Sequence, residues 1–217
     1  MNPGRRRDEL LRTTLGVWLP LLVVVGAAIA VSRATDVTPR MLMQDATTVL
    51  GGPFYIGSVS LLGVLLWSAA TAVCLFGGLA LVHDGEWRRL LVWSGLLTAL
   101  LTFDDAFLFH DEILPIHAGI PGEVFAAVYV VGMLALIVRF RSVIATSNWL
   151  LLAVALGLFG VSAVVDVLSS RLSEIVPSAV VTLAEDGPKL LGVGTWLAYF
   201  VSAARQAVEA SPRSAAG

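Results

Sequence analysis

At 217 residues, with 57% hydrophobic and 14% charged side chains, the chain carries far less charge than the roughly 25% of a soluble domain, which excludes an ordinary water-solvated globule. The formal net charge of -2 argues against a nucleic-acid partner, because phosphate binding needs a basic face. Cys74 is the only cysteine, so no intrachain disulfide is available, and its apolar setting reads as a small buried hydrophobe.

The first 13 residues form a basic cytoplasmic N-terminus with Arg5, Arg6, Arg7 and Arg12. The apolar run that follows, near 14–32, is longer than the roughly 7–15 residues of a signal-peptide core and is read as an uncleaved first span. Ala28-Ile29-Ala30 bears only a faint likeness to a cleavage site. Residues 33–54 form a loop in which Met41, Leu42, Val49 and Leu50 alternate with Gln44, Asp45, Thr47 and Thr48, which predicts a short amphipathic helix on the membrane surface. Further apolar runs lie near 56–82, 90–110, 122–140, 149–169 and 178–204, and each approaches or exceeds the roughly 20 residues a span requires. Pro115, Pro121-Gly122, Ser147-Asn148 and Pro177 supply breaks between the later runs.

These runs predict an all-α, polytopic transmembrane helical bundle of six spans over 14–205, followed by a disordered polar tail at 206–217. A cytoplasmic N-terminus puts ten arginines inside (Arg5, Arg6, Arg7, Arg12, Arg88, Arg89, Arg139, Arg141, Arg205 and Arg213) and three outside (Arg33, Arg40 and Arg171). Both termini are therefore expected to be cytoplasmic, in a multi-pass plasma (inner) membrane protein.

The ionisable residues inside the runs carry the functional reading. The third run brings Asp104 and Asp105 into the outward half of the bilayer, the fifth Asp166, and the sixth Glu185, Asp186 and Lys189. An intramembrane charge costs about 2.5–3.5 kcal/mol on insertion scales, so five isolated carboxylates would cost over ~10 kcal/mol. Pairing, protonation, water or a bound cation has to offset that cost. Lys189 is placed to pair with Glu185 at i+4 or Asp186 at i+3, and one lysine cannot neutralise five acids. A helix continuing through Glu112 would put Asp104 and Asp111 on one face, with His110 within reach of the same cavity. Pro188 frees the carbonyl of Ala184 for a ligand or water. His83, Asp84 and Glu86 read as a cytoplasmic turn, and Glu112, His117 and Glu123 lie toward the outer interface.

One histidine among several carboxylates suits a divalent metal ion such as Zn, Mn, Fe, Mg or Ca. Asp104, His110, Asp111 and Asp166 are the candidate ligands; Asp105, Glu185, Asp186 and Lys189 are the candidate catalytic groups. Ser58 and Ser60 stand near the outer end of the second run and read as packing serines. Soluble-enzyme signatures such as HExxH, GxSxG and Gly-rich phosphate loops are missing from the sequence.

Glu185-Asp186-Gly187-Pro188-Lys189 resembles the acidic-pair-x-x-Lys motif of PrsW-type intramembrane proteases, near the CAAX-protease group, although no histidine follows Lys189. The serine, aspartate and histidine layout of the second and third runs is similar to that of alkaline ceramidases, whose HxxxH on the last helix has no counterpart here. The convergence of His110, Asp104, Asp105, Asp166, Glu185, Asp186 and Lys189 at one depth makes a metal-dependent membrane hydrolase acting on a lipid or lipid-linked substrate from the outer leaflet the leading expectation. The other expectations are a cation- or proton-coupled transporter or channel subunit, and a non-catalytic membrane assembly protein. Membrane lipids are expected partners on every reading.

Overall fold

The computed structural model describes residues 3–44, 46–83 and 85–210, and within these the side chains of 3–13, 16, 17, 110, 111, 123 and 126 lie outside the description. The described chain is all-helical. It divides into two compact units, Met1–Ser58 and Val59–Gly217.

In the first unit, α1 runs Pro3–Ala34, and Trp18–Ala34 is its apolar part. The expected surface helix is instead two short helices, α2 (Pro39–Met43) and α3 (Ala46–Leu50). The sequence explains the division. Thr38 caps α2 by accepting from the Met41 amide, and Pro39 supplies a pre-set first helical residue. Gln44 then leaves the helix in an extended conformation, with its side chain accepting from Arg40 Nε at 2.9 Å. Asp45, which belongs to the expected pattern, lies outside the described residues.

The second unit takes up α4 (Ser58–Phe76) with a π-helical extension over Gly77–Leu81, α5 (Gly85–Phe107), a π-helical turn (Phe109–Ile113), and α6 (Leu114–Ala118). It continues through α7 (Gly122–Arg139), α8 (Arg141–Thr146), α9 (Trp149–Leu172) and α10 (Ser178–Ala210). Among the described residues, three helices are long and apolar enough to cross a membrane: Ser58–Leu81, Gly85–Phe107 and Trp149–Leu172. Ala127–Arg139 is a shorter apolar stretch within α7.

Two departures from the expected boundaries matter. Helix α10 continues to Ala210, so the first part of the expected tail is helical, while 211–217 lie outside the described residues. Helix α5 ends at Phe107 rather than running on through Glu112. Leu108 has φ 53 and ψ 41, a left-handed conformation that costs a residue with a Cβ about 1–2 kcal/mol, and the chain restarts beyond it as a π-turn. A continuous face shared by Asp104 and Asp111 therefore does not form.

Packing follows small residues and aromatics. Helices α9 and α10 pair most extensively. A Cβ at Gly192 would lie 2.6 Å from the Phe159 ring, so only glycine permits this approach. Around it, Trp67, Phe159, Trp196 and Phe200 form a chain of ring contacts 5.0–6.1 Å apart, with Tyr199 against Phe200 at 4.8 Å.

Candidate functional site: an acid–lysine cavity above a hydroxyl stripe

Asp105 sits in the last turn of α5, and Lys189 lies eleven residues, or about 16 Å, into α10. Lys189 Nζ donates to Asp105 Oδ1 at 2.6 Å, joining positions 84 apart in sequence. The Asp105 side chain is 14% exposed and that of Lys189 42%. Asp186, one turn before Lys189, lines the same cavity of about 80 Å³, as do Ser60 and Gly63 of α4. Gly63 keeps that side open: Asp105 Oδ2 lies 3.9 Å from the point where a side chain there would begin. Two carboxylates and one ammonium give the cavity a formal charge of −1. Its volume suits a few waters or one small cation.

Asp104 belongs to a different neighbourhood. Successive helix positions diverge by about 100°, so Asp104 turns away from α10 and is buried, 5% exposed, with its carboxylate hydrogen-bonded to Tyr129 of α7. Asp166 is exposed on α9 and Glu185 is half-buried on α10; neither lines the cavity. Glu112 and His117 are exposed. The backbones of His110 and Asp111 form part of the π-turn, and their side chains, like that of Glu123, lie outside the described residues, as does Asp84. Among the described residues, no group of three or more His, Cys, Asp or Glu side chains is placed to hold a metal ion.

Below Asp105, α5 presents Thr102, Thr98 and Ser94 at helical spacing on the same face, a stripe spanning about 16 Å. Thr98 and Ser94 are fully buried and Thr102 is half-buried. Thr102 Oγ1 donates to the Thr98 carbonyl at 2.7 Å, and Thr98 Oγ1 donates to the Ser94 carbonyl at 2.7 Å. Those protons being committed, Thr71 of α4 is the donor in its 3.2 Å contact with Thr102, while Trp196 Nε1 donates to Thr98 Oγ1 at 3.1 Å. Ser94 Oγ is buried and makes no hydrogen bond among the described residues. Further along α10, Tyr199 donates to Ser147 Oγ at 3.1 Å, because the Ser147 proton is given to the Ile144 carbonyl.

Sequence reasoning passed over this stripe, and it set Ser60 aside as a packing residue. The signal was present as the 94/98/102/105 spacing, hidden because serine and threonine in apolar helices ordinarily satisfy their own helix carbonyls.

Residues 16–203 match the family described as a domain of unknown function (DUF8692). The chain belongs to that family. The match covers α4, α5 and the part of α10 that carries Lys189, so the DUF8692 region contains the whole cavity and its stripe. No curated protein and no solved structure matches the chain.

Proposed function

We propose that this DUF8692 protein is a six-span inner-membrane protein with both termini cytoplasmic, and that it is a proton- or cation-coupled transporter or channel subunit. The single observation that carries the reading is the Asp105–Lys189 pair, set with Asp186 at the head of a buried row of hydroxyls. The ten-to-three arginine bias supports the topology. The cavity's formal charge of −1 is matched by one proton or one small monovalent cation. A proton or cation entering the cavity meets Asp105 of α5, already accepting from Lys189, and Asp186 of α10. Thr102, Thr98 and Ser94 continue the polar groups from the cavity toward the N-terminal half of α5.

Reconstitution in liposomes holding a pH-sensitive dye tests this reading. Wild-type protein is expected to dissipate an imposed pH or cation gradient, and Asp105→Asn or Asp186→Asn to abolish the flux. Wild-type vesicles as tight as protein-free ones would sink it.

A second reading, a metal-dependent hydrolase of a lipid or lipid-linked substrate, is favoured by Ser60 sharing the cavity with Asp186 and Lys189, the latter two belonging to the acidic-pair-x-x-Lys motif. Its ligands would come from Asp104, His110, Asp111 and Asp166, with Asp105, Glu185, Asp186 and Lys189 acting on substrate. Elemental analysis of the purified protein beside His110→Ala, with lipid turnover by Ser60→Ala, separates it from transport.

A further inference from the structure

A second concave surface lies away from the acid–lysine cavity, between α5 and α7. It is a groove of about 560 Å³ whose walls include Trp93, Leu96 and Leu100 on α5 and Gly132 and Leu136 on α7. Gly132 keeps the floor low: a Cβ there would already stand 3.4 Å from Leu97 Cδ1. Arg89 and Arg139 line one end of the groove, with Phe140 beside them.

The arginines are held rather than loose. Glu86 forms an ion pair with Arg89 Nη1 at 3.3 Å and accepts from Arg139 Nη1 at 3.2 Å, and the Arg139 guanidinium stands 4.9 Å from the centre of the Phe140 ring. Two guanidinium groups and one carboxylate leave a net charge of +1 at the groove's end, with both arginine side chains about half exposed. The apolar groove beside Phe76, Leu81 and Val208 differs: its end carries Arg205 and Glu209 paired one to one at 3.1 Å, a neutral terminus.

Length gives the second argument. From Arg89 to Leu100 is eleven residues, or about 16 Å of helix, against about 15 Å for one leaflet of a roughly 30 Å hydrocarbon core. A lipid whose phosphate lies at the arginines therefore has one acyl chain's depth of apolar wall beneath it. We infer that the groove between α5 and α7 is a binding site for one anionic phospholipid, with its phosphate on Arg89 and Arg139 and an acyl chain along Trp93, Leu96 and Leu100. Glu86 pre-orients the two guanidinium forks and limits their charge, so the site selects a singly anionic headgroup over a zwitterionic one.

Native mass spectrometry of the full-length protein in detergent, titrated with phosphatidylglycerol or with phosphatidylcholine of the same chain length, tests the inference. Wild-type protein is expected to take up one phosphatidylglycerol about tenfold more tightly than phosphatidylcholine, a ratio equivalent to about 1.4 kcal/mol. Arg89→Gln with Arg139→Gln is expected to bring that ratio to about one. Glu86→Gln, which leaves both arginines and adds a positive charge to the balance, is expected to raise it, an outcome that damage to the fold would not produce. Gly132→Phe fills the groove and is expected to weaken binding of both lipids. A wild-type ratio near one, a ratio unmoved by Glu86→Gln, or undiminished binding in Gly132→Phe overturns the site. A dimer that persists with lipid and is lost in Gly132→Phe would assign the groove to a second copy of the chain instead.

Discussion

Lys189 on α10 donates to Asp105 on α5 across 2.6 Å, and this pair ties the far end of one apolar helix to the middle of another. Removing one partner leaves the other charge in a low-dielectric setting, whereas removing both leaves neither member of the pair unsatisfied. Lys189→Met is therefore expected to lower stability in detergent by about 2 kcal/mol, the value for a hydrogen bond to a charged group, since Lys189 is partly exposed. Asp105→Asn with Lys189→Met should recover most of that loss in thermal denaturation. A double variant whose loss equals the sum of the two single losses would show that the pair contributes nothing as a pair.

Buried Asp104 and half-buried Tyr129 form the neighbouring link between α5 and α7. A cycle of Asp104→Ala, Tyr129→Phe and the double variant is expected to give a coupling energy of about 1–2 kcal/mol. Strictly additive losses would mean that the two side chains do not depend on each other.

Two glycines two residues apart on α10 should respond oppositely to the same change. At Gly192 a methyl group would stand 2.6 Å from Phe159, so Gly192→Ala is expected to cost about 1–3 kcal/mol by overpacking. At Gly194 nothing lies within 4 Å, and Gly194→Ala should be neutral or stabilise by up to about 1 kcal/mol through helix propensity. Equal melting temperatures for the two variants would contradict the close α9–α10 approach.

Leu108 holds a conformation that suits glycine. Leu108→Gly is expected to stabilise the protein by about 1 kcal/mol in chemical or thermal unfolding, because the left-handed penalty disappears. The same change at Phe107, inside α5, should destabilise by at least about 1 kcal/mol. Destabilisation by Leu108→Gly comparable to that at Phe107 would indicate that α5 continues unbroken.

Apolar run length and breaker residues are local properties, and for two of the helices they were enough: the runs near 122–140 and 149–169 correspond to α7 and α9 within a few residues. The chemical character of the cavity was legible too, since Asp105, Asp186 and Lys189 stand out as charges in apolar surroundings. Their partners were not legible. Asp104 and Asp105 are adjacent and chemically identical, yet one faces Tyr129 and the other Lys189, because a 100° step on α5 meets different helices. The break at Leu108 was equally hidden, since leucine is a good helix former and only the surrounding packing holds it left-handed. Periodicity is written into the order of residues, but which faces meet is decided when whole helices pack, and only then do Ser94, Thr98, Thr102 and Asp105 become one buried stripe.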